Sequence, residues 1–166
     1  MPPEGEDAMN PVDWRKMRNI QKIHRILYAV GFGPLIGRLI LLLTTIGRKS
    51  GRKRVTPLQY EKIGEDYYVG AARGLNADWV RNIQAEPYVE VRVGGQNFQG
   101  IAELITDPSK FADFMELRLE RHPRMMGLLM ERAHGLPRRP GRAQLEELGK
   151  SEVFVILHPK VAWREG

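Results

Sequence analysis

LILLLTTIGRKSGRKRVTPLQYE, Leu39 to Glu61, is the stretch whose reading decides the fold. Leu39 to Thr45 is a continuous apolar, β-prone run of strand length, which reads as a buried strand. A short segment rich in glycine and cations interrupts it, and Arg54 to Glu61 resumes as a second strand, so the whole predicts a β-hairpin. Beyond it, strands are expected at Asp66 to Ala72, Tyr88 to Val93, Asn97 to Ile105 and Val153 to His158, with Gly94 and Gly95 marking a tight turn between two of them.

Helical spacing fills the intervals. Asn76 to Ala85 can form a short helix, started by Asn76 or Asp78 as cap and stopped at Glu86-Pro87. Asp107-Pro108 opens another, which His122-Pro123 ends, and a methionine-rich stretch holds Met125, Met126, Leu128, Leu129 and Met130. Ala143 to Leu148 makes a last short helix before the final strand. On the N-terminal side, Pro11 to Tyr28 places Met17, Ile20, Ile23 and Leu27 on one helical face and Arg15, Arg18, Lys22 and Arg25 elsewhere. Residues 1–10 are acidic and proline-containing and read as a disordered tail, leaving 11–166 as one domain. Strands joined mainly by hairpins, with helices in the middle and at both ends, predict an α+β protein built on an antiparallel sheet or barrel and argue against a doubly wound parallel sheet.

The 166 residues, 42% of them hydrophobic, suffice for one ordinary core. There is no cysteine, which excludes disulfides, thiolate metal sites and cysteine nucleophiles. The four histidines are scattered without metal-ligand spacing, so no metal site is expected. The acidic, proline-rich start is unlike a signal peptide, and the glycines, proline and arginine within Ile26 to Leu43 argue against a membrane-spanning helix, so a cytoplasmic protein is expected. The formal net charge is +6, and between Trp14 and Tyr60 every charged residue is basic. Such a concentration of cations predicts an anionic partner. One use of the basic helix within residues 11–30 is peripheral attachment to an anionic membrane.

The loop between the first two strands carries the chemistry. Gly47 and Gly51 can adopt positive φ and turn successive N–H groups towards one point, a concavity suited to phosphate, while Arg48, Lys49 and Arg54 add full charges. Pro57 cannot donate to a ladder and marks a bulge, an edge or an opening. Downstream, Gly70, Ala71 and Ala72 are small enough for a planar ligand to approach the backbone, and Arg73 adds a cation. GRKSG is too short between its glycines to be a P-loop, and the stretch Gly31 to Gly37 only mimics a dinucleotide fingerprint because it contains Pro34 and follows no strand.

At these residues the chain resembles the deazaflavin-dependent nitroreductase family, split β-barrel reductases that bind F420. The resemblance is carried by LLLTTIGRKSGRKRVTPL, YYVGAARG and ADWVRNIQAEPYVEVRVGG, from about Leu41 to Ile105. It implies a split antiparallel β-barrel of about six strands with an N-terminal helix and flanking helices, and an oxidoreductase that transfers a hydride from reduced deazaflavin to an electron-poor, hydrophobic small molecule. It implies that Arg48, Lys49, Ser50 and Arg54 hold the cofactor phosphate and acidic tail. Thr56, Pro57, Leu58, Gly70, Ala71, Ala72 and Arg73 would line the ring, and Trp79 and Asn82 match the helix behind the cofactor loop. Related split barrels hold FMN through similar basic residues, so FMN is the alternative cofactor, and such barrels often complete their sites as homodimers.

The loop before Trp79 is shorter than usual in that family, Ala72 stands where some members have serine, and the C-terminal third offers methionines and histidines in place of a tyrosine cluster. These departures fall where substrate is chosen, and nitroreduction is not implied. Tyr60, Tyr68, His122 and His134 are the candidate proton donors, with no catalytic residue assigned. The competing class, a nucleic-acid-binding module, would need aromatics interleaved with its cations, and Arg48 to Arg54 has none.

Overall fold

The computed structural model describes residues 40–160, all within the compact unit Gly37–Gly166. The expected tail, the helix over Pro11 to Tyr28 and its membrane use lie outside these residues. Six strands, β1 (Ile40–Ile46), β2 (Lys53–Ile63), β3 (Asp66–Ala71), β4 (Tyr88–Val93), β5 (Gln96–Ile105) and β6 (Val153–Pro159), form a closed antiparallel barrel in the order β1-β2-β3-β6-β5-β4. Among the described residues four α-helices accompany them: α1 (Asp78–Ala85), α2 (Pro108–Arg121), α3 (Pro123–His134) and α4 (Arg142–Leu148). Among the described residues no helix is long and apolar enough to cross a membrane.

Alternation along the strands sorts side chains between the two faces of the barrel wall. Leu41, Leu43, Val69, Val91, Val155 and Leu157 point inward and are buried, and α1 closes the interior with Trp79, Val80 and Ile83. A second core lies outside the wall, where Phe111, Phe114 and Met115 of α2, Met126 and Met130 of α3 and Leu145 of α4 cover Ile105 and Phe154. Tyr68, Phe114 and Phe154 form an aromatic cluster there, with centroids 4.8–6.0 Å apart. The methionine-rich stretch is therefore largely core, and its helix is longer than Met125 to Met130 alone suggested.

Local signals act as expected at α2, where Asp107 accepts from the N–H groups of Ser109 and Lys110 at 2.8 and 3.3 Å. At α1 they do not. The N-cap is Ala77, with no side-chain cap bond, because Asn76 accepts from Arg81 and Asp78 from Arg48. Charged donors, Arg81 from the helix itself and Arg48 from the β1–β2 loop, have taken the side chains that would have capped.

Candidate functional site

Between β1 and β2 the loop is tied down by its own atoms. Gly47 N–H donates to Arg52 C=O and Gly51 N–H to Gly47 C=O, both at 2.8 Å, while Arg52 N–H donates to Ser50 Oγ at 3.2 Å. Gly51 has φ +67°, as expected, but Gly47 does not have positive φ. It is glycine because of close approach: a Cβ there would lie 2.7 Å from Ser50 Oγ and 3.2 Å from Arg52 O. The N–H groups of Gly47, Gly51 and Arg52 are thus spent within the loop and do not converge on a ligand.

The cations divide into two sets. Arg48 is committed to α1: its N–H and Nη1 donate to Asn82 Oδ1 at 3.2 and 3.0 Å, and Nη2 pairs with Asp78 at 3.2 Å. Asn82, buried, donates in turn to Thr45 Oγ1 at 3.2 Å, so it fastens helix, loop and strand together. Trp79 points into the barrel core beside it. Lys53 pairs with Glu90 at 3.0 Å across the wall. Lys49, Arg52 and Arg54 have no ion pair among the described residues and remain available to a ligand.

The register locates an opening. β2 pairs with β3 only from Tyr60↔Val69 to Ile63↔Asp66, yet it continues back to Lys53 along β1, and β3 continues to Ala71 along β6. From Tyr60 and Val69 onward the two strands face each other unpaired. One lip carries Arg54, Thr56, Pro57 and Leu58; the other carries Gly70, Ala71, Ala72 and Arg73. Pro57 therefore sits where β2 is paired on one flank only, which is where a residue without an N–H is tolerated. A Cβ built at Gly70 meets no atom within 4 Å, so open space lies over that lip. Arg73, like Arg54, is exposed and has no ion pair among the described residues. A planar, anionic molecule fits this combination of an unpaired seam, small residues and unpartnered cations.

Helix α3 bridges the seam on the outer face. Gln59 Nε2 of β2 donates to Met125 Sδ at 3.4 Å near one end, and His134 at the other end meets Glu152, next to β6, with Nδ1 to Oε1 at 3.3 Å. At its start, His122 and Arg121 contact buried Glu61 at 3.1 and 2.9 Å. On the β1–β4 side of the loop, a cleft of about 600 Å³ is lined by Gly47, Arg48, Gly51 and Lys53 and, opposite them, by Tyr88, Glu90, Gln99 and Lys160.

The proton donors named from sequence now separate. Burial raises the hydroxyl pKa values of Tyr60 and Tyr68, with Tyr67 and Asp66 adding to it, so both stay neutral. His122 is held by Glu61. His134 is lowered by burial, and its partner Glu152 is raised by burial to about 7. Sequence offered no sign of Glu152, since an acid before a strand is ordinary and only the packing of α3 buries it.

The family model described as F420H(2)-dependent quinone reductase matches residues 16–126. An F420H(2)-dependent quinone reductase of Mycobacterium tuberculosis (strain ATCC 25618 / H37Rv) is 38% identical over 86 residues, covering 46% of this chain and 57% of that protein. The chain thus spans little more than half the length of this curated relative. A solved structure titled as a domain-swapped dimer shares the fold at 21% identity and a TM-score of 0.50, covering 89% of this chain and 99% of that one. One titled F420-H2 dependent reductase (FDR-A) is 24% identical with a TM-score of 0.48, over 72% of this chain and 94% of that one. With the family model covering well over half of its residues, this split-barrel chain belongs to the F420H(2)-dependent quinone reductase family.

Proposed function

We propose that this protein is a reductase that binds F420 along the open seam between β2 and β3 and reduces an electron-poor, apolar small molecule of the quinone class. The observation that carries the reading is the seam: two lips of small residues and a proline, left unpaired by the register and flanked by cations without partners. The name of the mycobacterial relative supports the choice of acceptor. When bound, reduced F420 supplies a hydride. The protein's residues do the rest. Gly70 and Ala72 admit the ring to the backbone, and Lys49 and Arg54 hold the phosphate and acidic tail. Arg48, fastened to Asn82 and Asp78, keeps the loop in place. Met125, on the helix over the seam, presents an adaptable apolar surface to the acceptor and keeps water out.

Titrating the purified protein with F420 and with FMN, followed by ligand fluorescence, tests the reading. F420 is expected to bind at micromolar concentration, and Lys49→Ala and Arg54→Ala should each weaken it about 10-fold, or about 1.4 kcal/mol. Unchanged affinity in both variants would remove the clamp, and tight FMN binding without F420 binding would exchange the cofactor.

Assembly as a homodimer is part of the same proposal. The fold neighbour titled as a domain-swapped dimer supports it, as do Tyr88 and Ile101, register partners that stay exposed on the outer wall. Sedimentation should report twice the chain mass at micromolar concentration; a monomer throughout would withdraw it.

A further inference from the structure

Two-electron reduction of a quinone needs a proton as well as a hydride, and one strand away from the end of the seam, across β3, lies a buried acid. Val153 is the Cα partner of Ala71, so Glu152 is the next residue along the strand that borders the β3 lip. Alternation puts Phe154 on the outer face, with the helices, and Glu152 shares that face. Its carboxyl lies against His134 Nδ1 at 3.3 Å, both side chains largely buried at 13% and 15% exposure. His134 closes the helix whose other end touches β2 at Gln59. The pair therefore stands across β3 from the end of the seam, under the end of α3 that reaches the start of β6.

We infer that Glu152, positioned by His134, donates the proton to the acceptor at this site. The inference rests on the F420-dependent reading proposed above. In the step, the acceptor takes a hydride, hence two electrons, from the reduced deazaflavin, which is thereby oxidised. The acceptor carbonyl oxygen that becomes anionic then takes the carboxyl proton of Glu152, the Glu152 O–H bond breaking as the acceptor O–H bond forms. The carboxylate left behind is stabilised by His134 and regains its proton from solvent.

Protonation supports the geometry. Burial raises Glu152 to about 7 and lowers His134, so the carboxyl, and not the imidazole, is the member of the pair that carries an exchangeable proton near neutral pH, as a donor needs. The charged residues on neighbouring elements include Arg73 after β3, Arg132 in the last turn of α3 and Glu131 beside it, which pairs with Arg138 at 2.6 Å, and, on and after α4, Arg142 and Glu146, which pair at 2.9 Å, and Glu147 and Lys150, which pair at 2.7 Å. Among the described residues none of these pairs with Glu152, whose ion-pair partner is His134. Keeping this acid also has a stability consequence. Because its folded pKa lies above the unfolded value, the contribution is full below about 4.5 and lost as pH rises through about 7.

Glu152→Gln keeps the shape and removes the acid. In cofactor-free protein, the Glu152 carboxyl resonance, assigned by its loss in Glu152→Gln, should titrate near pH 7, and adding menadione as a simple quinone should move that midpoint. No movement with menadione bound would overturn the inference whether or not F420 binds. With F420, kcat of the wild type should fall above about pH 7, whereas Glu152→Gln should lose about 100-fold in kcat, lose that pH dependence, and keep KM for menadione within about 3-fold. His134→Ala should move the midpoint of the wild-type profile, as a positioning residue would. Retention of kcat and of the wild-type pH profile by Glu152→Gln would overturn the assignment while leaving the cofactor reading intact. Failure of the wild type to bind F420 would overturn that reading instead, and the menadione titration would still decide where the Glu152 carboxyl faces. Glu152→Gln should also melt higher than wild type at pH 8 and equally at pH 4.5.

Discussion

Glu61→Leu is expected to destabilise the protein by about 3–5 kcal/mol, the cost of leaving a buried cation without its counter-charge. Glu61 is buried in the outer face of β2, where Arg121 Nη1 and His122 Nε2 contact it at 2.9 and 3.1 Å. The residue at risk is Arg118, one turn earlier on α2. Its side chain is buried, and neither Nε nor Nη2 has a hydrogen-bond partner. Burial lowers its pKa and the nearby Glu61 opposes that, while the face of Phe114 lies 5.6 Å from the guanidinium carbon. Arginine does not escape by losing its proton. With Glu61 gone, a full charge would remain in an apolar site with only the ring for company. Urea unfolding at pH 7 measures the loss. Glu61→Leu combined with Arg118→Leu should recover most of it, because the double variant removes the buried cation together with the nearby acid that offsets it and leaves no uncompensated charge in the apolar site. A single-variant loss below about 1 kcal/mol, or a double variant no more stable than the single, would show that Arg118 does not depend on Glu61.

Gly74→Ala should cost about 3 kcal/mol, from two sources that a matched control separates. Gly74 begins the turn of 3₁₀ helix Gly74–Asn76 that leads from β3 to α1, with φ +55°. An L-residue there pays about 1–2 kcal/mol for the left-handed conformation alone. The added Cβ would also collide with the Ser151 carbonyl oxygen, which is backbone and cannot rotate away. Gly64 has φ +60° with nothing within 4 Å of a Cβ, so Gly64→Ala carries the conformational term and no collision. Thermal or urea unfolding of the two variants should therefore differ by at least about 1 kcal/mol. Equal losses would mean that the turn yields to the methyl group. Because Ser151 adjoins Glu152 and Gly74 follows the Ala72-Arg73 lip, the strain in Gly74→Ala falls on the edge of the seam itself.

Much of the fold could be read from the chain because its signals are local. The apolar run from Leu39, the Gly94-Gly95 turn and Asp107-Pro108 each act through their own neighbours, and the six strands and four described helices fall close to the expected positions. Pro57 was informative for the same reason: a missing N–H restricts pairing wherever it is placed. At Gly47 a local rule misled, since glycine there serves close approach to Ser50 and Arg52 and not a positive φ. Asn76 and Asp78 looked like caps and instead serve Arg81, five residues on, and Arg48, brought in by the fold, because a charged donor outcompetes a neutral backbone N–H.

By itself the sequence determined the alternation that builds a barrel wall, the cluster of cations beside small residues, and the family. Those properties depend on residue type and spacing. Only the tertiary structure decided which cations are available, since Arg48 and Lys53 spend their charges on Asp78 and Glu90, 30 and 37 residues away, while Lys49 and Arg54 do not. It likewise decided that the β2–β3 ladder stops at Tyr60, and that Glu152 is buried against His134. Pairing and desolvation are set by what other segments bring alongside a residue, and no stretch of chain carries that information about itself.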